Sequence, residues 1–496
     1  MTGLLSDLRF RVGACVAALA GVAAIGAMVS TPAPPESEGS GGIQQVVVNR
    51  AAVGCPALGS ADGSRTVVDA VSPLLPDGTP TAGGKTSSVE LHRLWQSSRT
   101  LLETFGRRGH LVTVDEKAEP VPVAVRAVGP LAAGTTATTT SSARKGVNRG
   151  MASTQCTTPS AEFWFAGAST APGRRDVLVM TNLDDVNASV DITYYGPDGE
   201  LDNTSGRGVV IRGKGQTEVF LNTSVPRVRD LALHVLSTGG RVAAALRDNS
   251  SNTTSPTGVD WLPPAAEPGK EVVVPAIAGG AGARVLTVMN PGDLPTTATI
   301  AILGRTGRFR PAGRDTLYVP AGGVRTIRLD TPQEKGDPPV PAAAVAVSAE
   351  VPVTASVRIV DERNQDFAVV GSAVPLTGPA YLVLPVHTEP MALIVSAPGE
   401  GGSAVFEIRS AGGAVVQSRT IKVASGATAA LQLATATTAT YLTVSPDDGS
   451  RLVAGVMLTP PSKMTEFRQV ASWPLSTSQV FRAQTGTQPD IRAALR

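Results

Sequence analysis

Three segments of this chain repeat one pattern: VLVMTNLDDVNASVDIT (177–193), VLTVMNPGDLPTTATIAIL (285–303) and ALIVSAPGEGGSAVFEI (392–408). Leu178, Leu286 and Leu393 each open a strand, and Met180, Val288 and Val395 continue its inward face two residues on. A turn follows at Asn182-Leu183, Asn290-Pro291 and Ala397-Pro398. A second strand then alternates through Val190 and Ile192, Ile300 and Ile302, Phe406 and Ile408. Period-two alternation in runs this short marks half-buried strands. The leucines stand 108 and 107 residues apart (286 − 178 and 393 − 286). That spacing exceeds the ~20–50 residues of solenoid repeats. It matches one immunoglobulin-like sandwich of about 100 residues.

The likeness continues downstream. VIRGKGQTEVFL (210–221), YVPAGGVRTIRL (318–329) and KVASGATAALQL (422–433) each place a Gly-containing turn between two strands. LALHVLSTGGRVAAALRD (231–248), AAVAVSAEVPVTASVRIVD (343–361) and TYLTVSPDDGSRLVAGVML (440–458) each read as a two-stranded hairpin. The expected fold class is therefore all-β, with tandem immunoglobulin-like β-sandwich domains after a single N-terminal hydrophobic helix. Repeats are expected at 161–270, 271–379 and 380–480, with proline-bearing joints at WLPPAAEPGKE and VPLTGPA. Region 43–160 carries strand signals without a clean copy of the motif and reads as a divergent first β-domain. Within it, LHRLWQSSRTLLETF (91–105) is expected as a short helix, and GTTATTTSSAR (134–144) as a low-complexity surface loop. Residues 481–496 are expected as a tail.

Composition agrees with this class. The 52 glycines and 38 prolines punctuate strands and break helices. Hydrophobic content of 42% supports real cores, while 17% charged residues is below the ~25% of ordinary soluble domains. A net charge of +2 with interspersed signs gives no electrostatic footprint for nucleic acid. Arginine outnumbers lysine and Ala, Gly, Val, Thr and Pro dominate, as in a GC-rich coding genome.

Residues 12–30, VGACVAALAGVAAIGAMVS, carry no charge over 19 positions and follow Arg9 and Arg11. Such a run is long enough to span a bilayer, and the arginines place its start in the cytoplasm. The segment 1–30 thus reads as a cytoplasmic stub and transmembrane anchor; the alternative is a cleaved signal peptide, which usually has a shorter apolar core. Residues 31–42, rich in Pro, Ser, Glu and Gly, read as a flexible linker. Cys15 lies inside the apolar run, leaving Cys55 and Cys156 outside it. In an oxidising compartment this pair is expected to form a disulfide; two buried free thiols are the alternative. Closing that loop would stabilise the fold by up to about 4.7 kcal/mol on the chain-entropy model.

Signals for chemistry are few. The four histidines, His92, His110, His234 and His387, form no HxH or HExxH set. No GxSxG elbow occurs. The acidic stretches 182–187, 196–203 and 445–450 lack EF-hand spacing and read as hairpin turns. Sequons at Asn187, Asn203, Asn222, Asn249 and Asn252 read as polar loops. Trp164, Trp261 and Trp473 fall near repeat ends and are expected in core or inter-domain packing. No catalytic, cofactor-binding or metal site is expected, and no cofactor.

The apolar anchor, Cys55-Pro56, FWFAGAST (163–170) and the strand ending in Asn290-Pro291 resemble a family of large actinobacterial secreted proteins, itself of unknown function. The resemblance spans about residues 45–480 and implies no catalytic residue. The functional expectation is a non-enzymatic, exported cell-envelope protein: a membrane-anchored spacer or interaction platform for an envelope protein or polymer. The alternative is a cell-wall polysaccharide- or peptidoglycan-binding module.

Overall fold

In the computed structural model, residues 43–485 are described apart from 59–63, 81, 84–86, 96–97, 117–120, 253–254, 280–281, 330–342, 362–365, 388 and 459–468. The expected anchor (1–30), the linker (31–42) and most of the tail lie outside the described residues. Among the described residues, no helix is long and apolar enough to cross a membrane. The chain divides into two units. In the smaller one, strands Ile43–Val47 and Phe481–Thr485 pair as a two-stranded sheet, so residues 481–485 are strand and not tail.

The larger unit, Val47–Phe481, is nearly all β and antiparallel. Its strands fall into four groups. In the first, eight strands run Arg50–Cys55, Arg65–Val71, Ser88–Trp95, Ser98–Phe105, Leu111–Glu116, Val123–Val128, Thr136–Ala143 and Gly150–Gln155. They form two four-stranded sheets, ordered first-sixth-third-fourth and fifth-second-seventh-eighth. The fourth group repeats this order with Ala380–Leu384, Met391–Ser396, Gly402–Arg409, Val415–Val423, Thr428–Gln432, Thr440–Pro446, Val453–Leu458 and Ala471–Pro474. The second group, from Glu162–Ala168 to Pro256–Leu262, follows the same order with its fourth strand split in two. In the third, the sixth and seventh strands merge into one, Ala343–Val360. The region read as divergent therefore has the pairing order of the others.

Each group encloses an apolar cluster drawn from both of its sheets. In the fourth, Leu382 and Leu384, Leu393 and Val395, Phe406 and Ile408, Leu442 and Val444 all meet. These are the alternating residues of the repeated pattern, and their inward faces exclude water together. The loop at the heart of the pattern joins strands of opposite sheets: Arg174–Asn182 pairs with Gly215–Phe220 and Ala243–Ser251, whereas Ala188–Gly196 pairs with Leu231–Gly239.

Three further expectations are corrected. The segments 231–248, 343–361 and 440–458 are not hairpins. Leu231–Gly239 and Ala243–Ser251 lie in different sheets, as do Thr440–Pro446 and Val453–Leu458, and 343–360 is one strand. Alternation specifies a buried face, and a short connection serves an arch between sheets as well as a hairpin within one. Residues 91–105 are not helical: Ser88–Trp95 and Ser98–Phe105 pair antiparallel. Val89 and Leu91 enter the core of the group, while Leu94 on the opposite face packs on Ala124 and Leu183, and apolar residues on both faces of one strand mimic helical spacing. Residues 136–143 are not a surface loop but a central strand between Arg65–Val71 and Gly150–Gln155. Threonine suits a pleated strand through its β-branch, and hydroxyls pair across the sheet, as in Thr66 Oγ1 to Ser141 Oγ at 2.7 Å, while Thr139 Oγ1 is buried without a partner.

Candidate functional site

Apolar seams link the four groups in a closed cycle. Leu58 and Ala152 of the first pack on Val177, Val179, Val259 and Trp261 of the second. Trp164, Tyr195 and Ala232 of the second meet Met289 and Val324 of the third. Leu303, Ala344 and Ala346 of the third meet Val453 of the fourth. Val383, Ala439 and Tyr441 of the fourth return to Val71 and Leu111 of the first. Polar bonds reinforce the seams: Ser356 Oγ donates to Ala166 O (2.5 Å), Thr428 Oγ1 to Leu303 O (2.7 Å) and Thr138 Oγ1 to Val383 O (2.8 Å). Close approach requires glycine in two of them. A Cβ on Gly167 (φ 103°) would lie 2.6 Å from Ser356 Oγ, and one on Gly134 (φ 75°) 2.8 Å from the Tyr381 ring.

The eighth strands of the groups, Gly150–Gln155, Pro256–Leu262, Phe367–Gly371 and Ala471–Pro474, meet where two buried carboxyls bridge between groups. Asp260 Oδ2 in the second group accepts the Val369 N–H of the third at 2.9 Å. Asp366 Oδ2 in the third accepts the Val470 N–H of the fourth at 3.0 Å. Trp473 Nε1 of the fourth donates to Ser153 Oγ of the first at 3.2 Å. Burial pushes both carboxyls well above the usual carboxylate range, against backbone hydrogen bonds that favour the charged form. Asp366 Oδ1 also lies against Gly150 and Gly258, where a Cβ would come within 2.8 Å of it.

Beside this junction, Arg174 donates to both Asp248 oxygens (Nε to Oδ1 2.9 Å, Nη2 to Oδ2 2.6 Å) and to Asp176 Oδ2 (3.2 Å). Arg358 of the third group donates to the same Asp248 Oδ2, and its guanidinium lies 3.4 Å over the Phe367 ring. Burial, with the neighbouring Arg174, lowers the Arg358 pKa to about 10. Arg358 thus reaches across the seam to a set of one arginine and two acidic side chains in the second group. Removing either member of such a buried set leaves an uncompensated charge.

A cavity of about 400 Å3 opens at the centre of the cycle, with walls from all four groups, among them Thr136, Thr154, Phe163, Pro264, Val374 and Trp473. None of its lining residues is ionisable. Its chemistry is that of an uncharged ligand: apolar walls with hydroxyls and amides.

Sequence-singled residues fall as follows. Cys55 and Cys156 are joined in a disulfide, tying the end of the first strand to the end of the eighth. The histidines are scattered. His92 is buried near Glu90 (3.5 Å), and burial lowers its pKa. His110 meets the Phe105 ring edge-on, and His387 Nδ1 lies 2.9 Å from Pro385 O. His234 stacks on Trp164 at 3.8 Å and bonds Glu162 (2.9 Å). Among the described residues, no serine, threonine or cysteine side chain pairs with a histidine, and no group of three metal-ligating side chains occurs. The acidic stretches are turns: Asp185 pairs with Lys214 and Arg99, and Ser403 Oγ donates to Asp447. Trp261 and Trp473 are fully buried, Trp261 in the seam between the first two groups. Sequence reasoning missed Asp260, Asp366, Asp248 and Arg358. Asp260 and Arg358 stand inside apolar runs, GVDWL and ASVRIV, which is a signal; Asp248 and Asp366 sit in the polar stretches LRDNSS and RNQDF, which carry none.

A family model described as a family of unknown function (DUF5719) matches residues 112–434, which is 323 (434 − 112 + 1) of 496 residues. The chain belongs to this DUF5719 family. The match begins inside the fifth strand of the first group and ends just past the fifth strand of the fourth, so it includes both bridging carboxyls and the arginine–carboxylate set. No curated protein matches the chain.

Proposed function

We propose that this DUF5719 protein is a non-enzymatic, exported component of the cell envelope, of actinobacterial origin. Its tandem immunoglobulin-like sandwiches form an interaction platform held outside the membrane by the segment 12–30, or released if that segment is cleaved. The observation that carries the reading is the closed cycle of seams with its single disulfide. A disulfide closing a 101-residue separation persists in an oxidising compartment. Groups joined by apolar seams, two bridging carboxyls and the Trp473–Ser153 bond favour a compact platform over an extended spacer. The scattered histidines, each engaged with a carboxylate, a ring or a carbonyl, support a non-enzymatic role.

Protease treatment of intact cells tests the topology: the β-groups are digested together with an outer-surface control. Protection of the β-groups while that control is cut sinks the outward orientation. The uncharged central cavity favours a second reading, a module for neutral cell-wall polysaccharide. Retention on purified cell wall that free glycan competes away would select this second reading over the platform.

A further inference from the structure

A second cleft, about 370 Å3, opens in the second group between the turn 170–175 and residues Asn222, Pro226 and Arg227. Its nine lining residues include three arginines and no carboxylate. Arg174 is already compensated, because its guanidinium is taken by Asp176 and Asp248. Arg175 and Arg227 are exposed, and neither has a carboxylate partner among the described residues. The remaining charge of the cleft is therefore positive and unspent. Arg247, whose pKa is lowered by burial first and then also by Arg175, adds to the same field; Glu218 is its carboxylate neighbour.

Two further features single out this cleft. Arg227 adopts φ 61°, a left-handed conformation that non-glycine residues rarely hold. Such strain clusters at ligand clamps, where the surrounding structure enforces it. Asn222 donates Nδ2–H to Arg174 O at 3.0 Å, which ties the wall of the cleft that carries Pro226 and Arg227 to the turn that carries Arg175.

We propose that this cleft binds an anionic group, phosphate or carboxylate. Arg175 and Arg227 take the anion through charge-assisted hydrogen bonds. The inference stands apart from the envelope reading and is tested without it.

Calorimetric titration of the full-length protein at low salt uses two probes, glycerol 3-phosphate and glucuronate, with glycerol as the uncharged control. Saturable binding of at least one anion is expected, weakened about tenfold by Arg175→Ala and by Arg227→Gly, as for loss of one hydrogen bond to a charged group. Glycine suits the backbone at 227, so Arg227→Gly keeps or raises the thermal midpoint while binding falls. Arg229→Ala removes a nearby exposed arginine that does not line the cleft and leaves affinity unchanged. Binding of glycerol 3-phosphate alone assigns the source as a phosphate ester, binding of glucuronate alone as a sugar acid, and binding of both as the shared anion. Three results overturn the proposal: no saturable binding of either anion, unchanged affinity in Arg227→Gly, or an equal loss in Arg229→Ala.

Discussion

Asn182 and Asn290 make the same set of bonds. Each Oδ1 accepts the N–H two residues on, from Asp184 (2.9 Å) and Gly292 (3.1 Å). Each Nδ2 donates to the carbonyl four residues on, Val186 or Leu294, and to a carbonyl of the approaching segment, Ile211 or Pro320. The asparagine is thus a clamp on the loop that crosses between sheets. At the fourth group Ala397 stands there, and backbone bonds to Ala427 and Gly426 with Ser425 Oγ on Gly399 O hold the loop. Asn290→Ala should therefore destabilise by about 1–3 kcal/mol, since two carbonyls lose their donor; urea denaturation measures it. Asp69 is a second residue-scale case. Burial raises its pKa to about 6, opposed by Thr113 and Arg65. Below the unfolded value near 4 both states hold the proton and there is no penalty. As pH rises toward 6 the unfolded state releases it first, and stability falls by about 3 kcal/mol before levelling. Asp69→Asn should remove this fall, leaving stability unchanged at pH 3.5 and higher at pH 7 in parallel denaturation curves.

At the scale of elements, the strand Ala343–Val360 shows how one segment serves two sheets. Its first half pairs with Gly269–Ile277 and Thr296–Leu303, its second with Arg284–Met289 and Phe367–Gly371. Between Ser348 and Val353 the pairing with Gly269–Ile277 shifts register, and Pro352 sits in this crossing, where no N–H is required. Pro352→Gly should cost about 0.4–1 kcal/mol through the freer unfolded chain, read as a lower denaturation midpoint with an unchanged slope. A much larger loss would show that the ring of Pro352 is itself packed. The Thr/Ser strand 136–143 was illegible for a related reason. Its hydroxyls are polar in sequence, yet Thr140 and Thr138 find strand and seam partners in Ser153 and Val383.

For the whole molecule, the closing seam between the fourth and first groups decides between a cycle and a linear array. A compact unit of 435 residues (481 − 47 + 1) has a radius of gyration of about 22 Å. Small-angle scattering should give a value close to that for residues 47–481, whereas groups strung end to end would give a clearly larger one. Gly134→Val places a branched side chain against Tyr381 at a positive φ. It should speed hydrogen exchange at 380–384 and 136–143 while leaving the third group, 284–303, protected. Uniform loss of protection would mean that the groups unfold as one.

Sequence alone determined the strands of the repeated groups, their inward faces and the two cysteines available for a bridge. Each of these is local: alternation, turn residues and a count. It also marked Asn182 and Asn290, although not what their side chains hold. Tertiary structure decided the sheet to which each strand belongs, because an arch and a hairpin bury the same alternating residues. It decided that the first group repeats the others, since strand order is a property of pairing and not of composition. The seams, the buried bridging carboxyls Asp260 and Asp366, and the unpaired Arg175 and Arg227 likewise emerged only in three dimensions. A charged residue in a sequence does not reveal whether its partner lies a hundred residues away, and here that distance separates a buried bridge from an open cleft.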